Sequence, residues 1–261
     1  MSSFFNNLLD NSLSLQKEYS MKTTEYIAFT INRFPKGYVF TYEDFVTKVN
    51  KKEAIIKALN RMAVSGKITK LSKGKYYKPE KTVFGVLQPD QYQIVKDLLE
   101  QNGKTIGYLT GFSIYNQLGL TTQVSSTIQI GKNEIRSPFN RGRFKISFIK
   151  QKNNITKENI PLLQILDSIR YIKKIPDSTN EFVCKRLITI LKDLKEKDIK
   201  TIVRLAQKYP PSTRALLGAM LDEIGEIELT KPLLKSLNPI TKYTIADVNK
   251  VLSTTEKWNI K

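Results

Sequence analysis

Apolar residues recur at helical spacing in two stretches near the start of the chain. Ile27, Ile31 and Phe34 lie at positions i, i+4 and i+7, so the stretch 21–34 is predicted to form a helix with one buried face. A second helix is predicted over 51–65, with polar residues opposite its apolar positions. Those apolar positions are Ile55, Ala58, Leu59 and Met62. The pattern therefore predicts two amphipathic helices, each with a buried face.

A short helix and a hairpin complete this region. Thr41 and Asp44 resemble a capping box, with Asp in the place usually held by Glu or Gln, and so predict a helix start. Gly66 is expected to end the second long helix as its C′ residue. The β-prone runs 68–72 and 75–78 flank a glycine that favours a tight turn. Helix, short helix, helix and hairpin is the order of a winged helix-turn-helix.

The remaining pattern predicts a mixed α/β domain with a C-terminal helical part, which makes the fold class α+β. Residues 79–90 lie between two prolines and are interpreted as a connection, after which Asp90 is expected to cap a helix. Apolar and polar residues alternate over 143–149, as in a strand with one buried face. The other predicted elements are a short helix over 110–119, a strand over 126–131, and helices that begin near 159, 182, 198 and 212.

Four parts follow from this organisation. They are an N-terminal extension at 1–20, a winged helix-turn-helix domain at 21–80, an α/β domain with a helical subdomain at 81–225, and a C-terminal tail at 226–261 with a short helix near 246–252. No internal repeat or low-complexity block interrupts the pattern.

The net charge narrows the class of partner. The chain has a formal charge of +19 at pH 7 and a pI of about 9.8, so a polyanion is expected to bind it. Double-stranded DNA and an acidic membrane surface both meet that description. No apolar stretch reaches the ~20 residues that a membrane-spanning helix needs, and no membrane association is expected.

The cysteine and histidine counts exclude several chemistries. One cysteine and no histidine exclude an internal disulfide, a zinc site of the usual Cys/His kind and the Ser-His-Asp or Cys-His catalytic arrangements. Cys184 follows the apolar rhythm of its helix and is assigned to the core. These counts leave carboxylate–metal chemistry open, but no catalytic residue, metal or cofactor is predicted. The lack of disulfides fits a cytoplasmic protein.

The polar face of the second long helix and the hairpin supply the candidate DNA contacts. Asn60 suits the edge of adenine and Arg61 that of guanine, while the lysines suit phosphates. The complete candidate set is Thr41, Lys51, Lys52, Lys57, Asn60, Arg61, Lys70, Lys73 and Lys75. A solvated lysine-rich face on a small helical domain is the alternative interpretation.

Positive charge gathers again further along the chain, on a predicted loop or hairpin with no expected core role. Its members are Arg136, Arg141, Arg143 and Lys145. They could form a surface for a protein partner, a second nucleic-acid surface or a solvated hairpin.

One stretch of the middle region resembles a known family. The phrase YLTGFSIYNQLGLTTQV at 108–124, followed by STIQI, is similar to the AbiEi antitoxin family of type IV toxin-antitoxin and phage-abortive systems, and so is GKYYKP at 74–79. The matching motif comprises Gly119, Leu120, Thr121, Gln123 and Val124. Ser125 departs from the proline that the family often has there. The resemblance extends over about 21–225.

The resemblance implies a protein that is not an enzyme. Its winged domain would bind inverted repeats at its own promoter, and its second domain would support neutralisation of a nucleotidyltransferase toxin encoded alongside. An ordinary winged-helix regulator with a sensing or partner-binding domain remains an alternative, because no sequence feature marks toxin neutralisation. A restriction-type nuclease is less favoured, because the strand candidates at 126–131 and 143–149 lack the acidic residue that would hold a metal.

Overall fold

The computed structural model describes residues 22–49 and 51–261, so the predicted extension at 1–20 lies outside the described residues. The predicted α+β class is confirmed. The described residues contain eight α-helices, one four-stranded sheet, one three-stranded sheet and two two-stranded hairpins. They divide along the chain into two compact units between Val95 and Lys96.

Two α-helices and a three-stranded antiparallel sheet make up most of the first unit. In chain order the elements are α1 (Thr23–Arg33), β1 (Val39–Phe40), a 3-10 helix (Tyr42–Phe45), α2 (Lys52–Val64), β2 (Thr69–Ser72) and β3 (Lys75–Tyr77). The sheet order is β1-β3-β2, with β1 paired only to β3 among these strands.

The ends of these elements follow the predicted capping rules. Thr41 Oγ1 accepts from the backbone N–H of Glu43, and Asp44 Oδ2 accepts from the backbone N–H of Thr41, so the predicted capping box is confirmed. The helix behind it is a single 3-10 turn. Gly66 has φ 72° and ends α2 in a Schellman motif, with N–H groups at 66 and 67 donating to the carbonyls of Ala63 and Met62.

The core of the first unit is apolar and aromatic. The inward residues predicted for α1 and α2 pack around Phe40 and Phe45, whose rings meet edge to face with centroids 5.9 Å apart. Lys78 links the end of the hairpin to the end of α1. Its Nζ donates to the carbonyls of Asn32 and Phe34, at 2.6 and 2.7 Å.

The predicted connection after Pro79 contains structure of its own. β4 (Glu80–Thr82) and β5 (Gly85–Leu87) form an exposed antiparallel hairpin. The helix α3 (Gln91–Leu99) then begins as predicted, because Asp90 Oδ1 accepts from the N–H of Gln93 at 2.8 Å.

The second unit holds a small hairpin and a separate four-stranded mixed sheet. The hairpin consists of β6 (Glu100–Gln101) and β7 (Lys104–Thr105), and the sheet consists of β8 (Gly107–Thr110), β9 (Thr127–Lys132), β10 (Phe139–Arg141) and β11 (Phe144–Lys150). The strand order in the sheet is β10-β11-β9-β8, in which β9 runs parallel to β11 and the outer strands are antiparallel to their neighbours. The helix predicted over 110–119 is wrong: β8 covers its start, and only a 3-10 turn follows at Gly111–Ser113.

Helices and the C-terminal segment form the rest of the second unit. The predicted four helices are present as α4 (Ile160–Arg170), α5 (Asn180–Lys192), α6 (Glu196–Ala206) and α7 (Pro211–Glu223), with a 3-10 turn at Ile172–Lys174. The region predicted as a tail instead holds a nine-residue helix, α8 (Ile227–Lys235), and a 3-10 turn at Val248–Lys250. Near its end, Trp258 is fully buried in the main core.

Asp167 joins the sheet to the helices through a buried network. Its carboxylate accepts from the hydroxyls of Tyr108 and Thr110 on β8, both at 2.7 Å, and from the hydroxyl of Tyr209 at 2.9 Å. Gln151 Nε2 donates to both tyrosine oxygens at 2.8 Å. Burial raises the pKa of Asp167 against the opposing effect of its hydroxyl donors.

Candidate nucleic-acid interface

The orientation of α2 follows from its apolar stripe. Ile55, Ala58, Leu59 and Met62 are all buried, so the opposite side of the helix faces solvent. That side carries exposed Lys52, Glu53, Lys57, Asn60 and Arg61, and Lys51 precedes it. The structure therefore brings the helical members of the predicted set onto one exposed face.

Asn60 is oriented by a residue that the sequence did not single out. The hydroxyl of Tyr76 on β3 donates to Asn60 Oδ1 at 2.7 Å. The Tyr76 ring is buried, and desolvation raises its pKa, so the hydroxyl remains a protonated donor at neutral pH. A carbonyl-type oxygen retains a second lone pair, so Asn60 can still accept from and donate to a base edge. Tyr76 thereby fixes the direction of the amide.

Arg61 lies beside the start of α1. Its Nη2 is 3.5 Å from Thr24 Oγ1, which is the outer limit of a hydrogen bond. Arg61, Asn60 and Lys57 line a shallow depression of about 450 Å³ together with Thr23, Thr24 and Ala54. Three residues of the predicted set therefore border one concave surface.

Two other members of the predicted set have local roles. Thr41 is the N-cap described above, and its hydroxyl already accepts from a backbone N–H. Lys52 Nζ lies 4.6 Å from the centroid of the Tyr42 ring, at cation–π distance. Thr41 therefore caps the 3-10 helix, and Lys52 links that helix to α2.

The β2–β3 hairpin carries the remaining candidates. Gly74 has φ 73° at its tip, a conformation that favours glycine. Lys70 and Lys73 are exposed, whereas Lys75 is half-buried. The register shifts between Lys70 and Ser72, and Leu71 is buried at this irregularity. The hairpin thus carries Lys70 and Lys75 on its strands and Lys73 at its turn.

One of the four residues in the second basic cluster is buried, although all four were predicted to lie on the surface. Arg141 is buried and pairs with Asp97 through two hydrogen bonds, Nη1 to Oδ1 at 2.6 Å and Nη2 to Oδ2 at 3.0 Å. The prediction that it has no core role is wrong, because the bidentate carboxylate compensates its desolvation. Arg136 is exposed and lies over the Phe139 ring at 4.5 Å. Arg143 and Lys145 are exposed.

The motif at 119–124 in the second unit begins in a turn. Gly119 has φ 70°, and Arg186 Nε donates to the carbonyl of Leu118 at 2.9 Å. Asn116 Nδ2 donates to the carbonyl of Thr121 at 3.2 Å. These bonds tie the motif to α5 and to its own loop.

Within 22–49 and 51–261, no three His, Cys, Asp or Glu side chains come together in a way that could hold a metal ion. No helix in the same ranges combines the length and the apolar character needed to cross a membrane. Cys184 is buried in the core as predicted, and burial raises the pKa of its thiol to about 12.

The chain belongs to a protein family of unknown function, DUF6088, whose profile matches residues 26–199. No curated protein is significantly similar to it in sequence. Among solved structures it is similar to the RV2827C protein of Mycobacterium tuberculosis, at 16% identity and a TM-score of 0.46, over 87% of this chain and 84% of that one. A likeness at that level carries no inference about function.

Proposed function

We propose that this member of the DUF6088 family binds double-stranded DNA through a winged helix-turn-helix in its first unit. In this proposal α2 enters the major groove and the β2–β3 hairpin is the wing on the flanking backbone. The observation that carries it is the exposed face of α2, where Lys57, Asn60 and Arg61 meet around one depression. The order α1, β1, 3-10 helix, α2, β2 and β3, with sheet order β1-β3-β2, supports the same assignment.

The charge distribution supports a nucleic-acid partner over a small anion. A formal charge of +19 favours association with a polyanion through release of condensed counterions. The exposed lysines at 51, 57, 70 and 73 would contact phosphates, and Asn60 and Arg61 would read base edges. The solvated-face alternative predicts binding that depends on charge alone, without sequence preference.

The biological role rests on the resemblance to the AbiEi family. In that role the protein represses its own promoter at inverted repeats and counteracts a nucleotidyltransferase toxin encoded beside it. An ordinary transcriptional regulator is the alternative. Only the DNA-binding part of this proposal has support from contacts in the first unit.

Base reading is tested with Arg61→Ala on the full chain. The target is a promoter fragment from upstream of its own gene, compared with random duplex of equal length. Loss of a bidentate base contact should weaken binding to the promoter by ~1–3 kcal/mol and relax its sequence preference. Lys192→Ala, an exposed lysine in the second unit, is the matched control.

Lys73→Ala separates backbone contacts from base contacts in the same assay. It should weaken binding to both duplexes and reduce the salt slope by about one unit. Equal losses on promoter and random DNA for Arg61→Ala would remove that residue from base reading. Unaltered affinity in both variants would contradict the interface itself.

Toxin neutralisation is tested by co-expression with a nucleotidyltransferase encoded next to the gene. The variant carries Arg136, Arg143 and Lys145 as alanine and keeps Arg141, whose ion pair is structural. Loss of growth rescue with promoter binding retained would assign the antitoxin surface to this cluster. Full rescue from the folded variant would exclude the cluster, and no rescue by the native chain would favour the ordinary regulator.

A further inference from the structure

A basic pocket of about 330 Å³ lies within the second unit, apart from the proposed DNA interface. The end of α4, the 3-10 turn after it, the start of α7 and the segment 242–245 form its walls. Four cations line it: Arg170, Lys173, Lys174 and Lys242. No Asp or Glu belongs to this lining. The lining therefore carries more positive than negative side chains.

The cations are partly held in place by an aromatic ring. Arg170 Cζ lies 5.0 Å and Lys174 Nζ lies 5.6 Å from the centroid of the Tyr171 ring, which also lines the pocket. Cation–π contacts of this kind favour particular side-chain positions without neutralising the charge. An anion could therefore bind here with less side-chain ordering than an unsupported lysine cluster would require.

Two hydroxyl groups in the walls lack partners. Thr213 is 2% exposed and Tyr243 is 8% exposed, and both line the pocket. Neither Thr213 Oγ1 nor the Tyr243 hydroxyl has a hydrogen-bond partner in the described part of the chain. A buried hydroxyl without a partner costs about 1–3 kcal/mol. Both oxygens are themselves almost inaccessible to solvent, so a ligand oxygen that a small shift of the wall side chains admits would relieve that cost.

The beginning of α7 adds a third feature. Pro210 and Pro211 start this helix of 13 residues, and Ser212 and Thr213 line the pocket in its first turn. The N–H of Thr213 donates back to the carbonyl of Pro210, whereas the N–H of Ser212 has no acceptor within the helix because of its position. The positive end of the helix dipole thus faces the same space as the cations.

We propose that this pocket binds the terminal phosphate of a small phosphorylated molecule. A terminal phosphate has three free oxygens and close to two negative charges, which suits hydroxyl donors at the wall and ammonium groups at the rim. A phosphodiester within a nucleic acid has chain on both sides, so it cannot project into a pocket of this size. The volume is at the lower end of the range for small-molecule sites.

The proposal is tested by calorimetric titration of the full chain with inorganic phosphate, and with AMP against adenosine, at constant ionic strength. Native protein should bind phosphate and AMP saturably and adenosine not at all. Thr213→Val and Tyr243→Phe remove the two hydroxyls at nearly constant shape. Each should weaken phosphate binding on the order of tenfold, the usual scale of one charge-assisted hydrogen bond. Lys242→Gln should weaken it similarly.

The control is Lys192→Gln, which removes one exposed lysine outside the pocket and should leave phosphate affinity unchanged. The hydroxyl variants are expected to fold, since each loses a group that makes no hydrogen bond in the described chain. Equal affinity in native and all pocket variants, or weak binding that does not saturate, would overturn the proposal. Duplex DNA binding that depends on Lys242, with no phosphate or AMP binding, would also overturn it and assign these cations to nucleic acid.

Discussion

The two units place their polar side chains in opposite ways. In the first unit the polar residues surround an apolar and aromatic core, and Asn60 and Arg61 lie on the surface. In the second unit Asp167 and Asp222 are buried among helices and are satisfied by hydrogen bonds. Every buried Ser, Thr, Asn, Gln, Asp or Arg side chain among the described residues belongs to the second unit.

This difference indicates that exposed polar residues of the first unit serve binding, whereas buried polar residues of the second determine how its strands and helices pack. Surface cations in the first unit lose little hydration on folding, so they remain free to serve a partner. Buried polar groups of the second unit are costly unless each one finds its partner, so they favour a single arrangement of strands and helices. Changes to exposed polar residues of the first unit should therefore alter binding, and changes to the buried, hydrogen-bonded polar residues of the second should alter stability.

Asp167→Ala should produce the largest effect on stability. Three hydroxyls, from Tyr108, Thr110 and Tyr209, would lose their acceptor at once. Because each unsatisfied buried group costs roughly 1–3 kcal/mol, the free energy of unfolding should fall by about 3–9 kcal/mol. Urea unfolding measures it, and Asp193→Ala at the exposed end of α5 is the matched control. A fall no larger than that of the control would refute the structural role of this network.

The pH dependence of the same site has a defined sign. Burial raises the pKa of Asp167 in the native state above its unfolded value of about 3.9. The carboxyl group of Asp167 therefore binds its proton more tightly in the native state than in the unfolded chain. The advantage of the native protein over Asp167→Asn is therefore complete below the unfolded pKa. It should shrink as the pH rises through the native pKa. An advantage that instead grows with pH would show that the hydroxyl donors outweigh burial.

Sequence periodicity predicted the first unit well because its determinants are local. The stripe of α2 repeats at helical spacing, and the capping box at Thr41 and Asp44 spans three residues. The determinants of the second unit are distant in sequence. Asp167 meets Tyr108 across 59 residues, and Arg141 meets Asp97 across 44. Neither partner leaves a periodic signal, so Arg141 looked like one more surface cation.

Proline was the other source of error. Pro232 lies within α8, where its missing N–H and fixed ring disfavour a helix, so the sequence indicated a tail. The helix persists because Leu233 is fully buried and Thr230 donates to the buried carboxylate of Asp222 at 2.7 Å. Tertiary contacts outweigh the local preference here.

Gly218→Ala should destabilise the second unit to an intermediate extent. A Cβ at this position would clash with the ring of Trp258, the only tryptophan of the chain, which packs against α7. Overpacking of this kind costs about 1–3 kcal/mol. Urea unfolding measures this loss of stability. The tryptophan fluorescence of the folded variant should also differ from that of the native protein. Gly225→Ala, where an added Cβ meets no atom but φ is +91°, isolates backbone strain and should leave the native fluorescence unchanged.

Tyr76→Phe should have the smallest effect and sharpens the comparison most. It removes the one hydroxyl that links the buried side of the first unit to Asn60. Loss of a hydrogen bond that only orients a reading group should weaken binding to the promoter fragment by about 0.5–1.5 kcal/mol. The salt slope should not change, because no phosphate contact is lost.

Tyr77→Phe, at a neighbouring buried tyrosine whose hydroxyl lies 3.5 Å from Gln88, is the control and should bind as the native chain does. If Tyr76→Phe lowered stability as much as Gly218→Ala while leaving promoter preference intact, the first unit would depend on buried polar contacts as the second does, and the contrast between the units would fail.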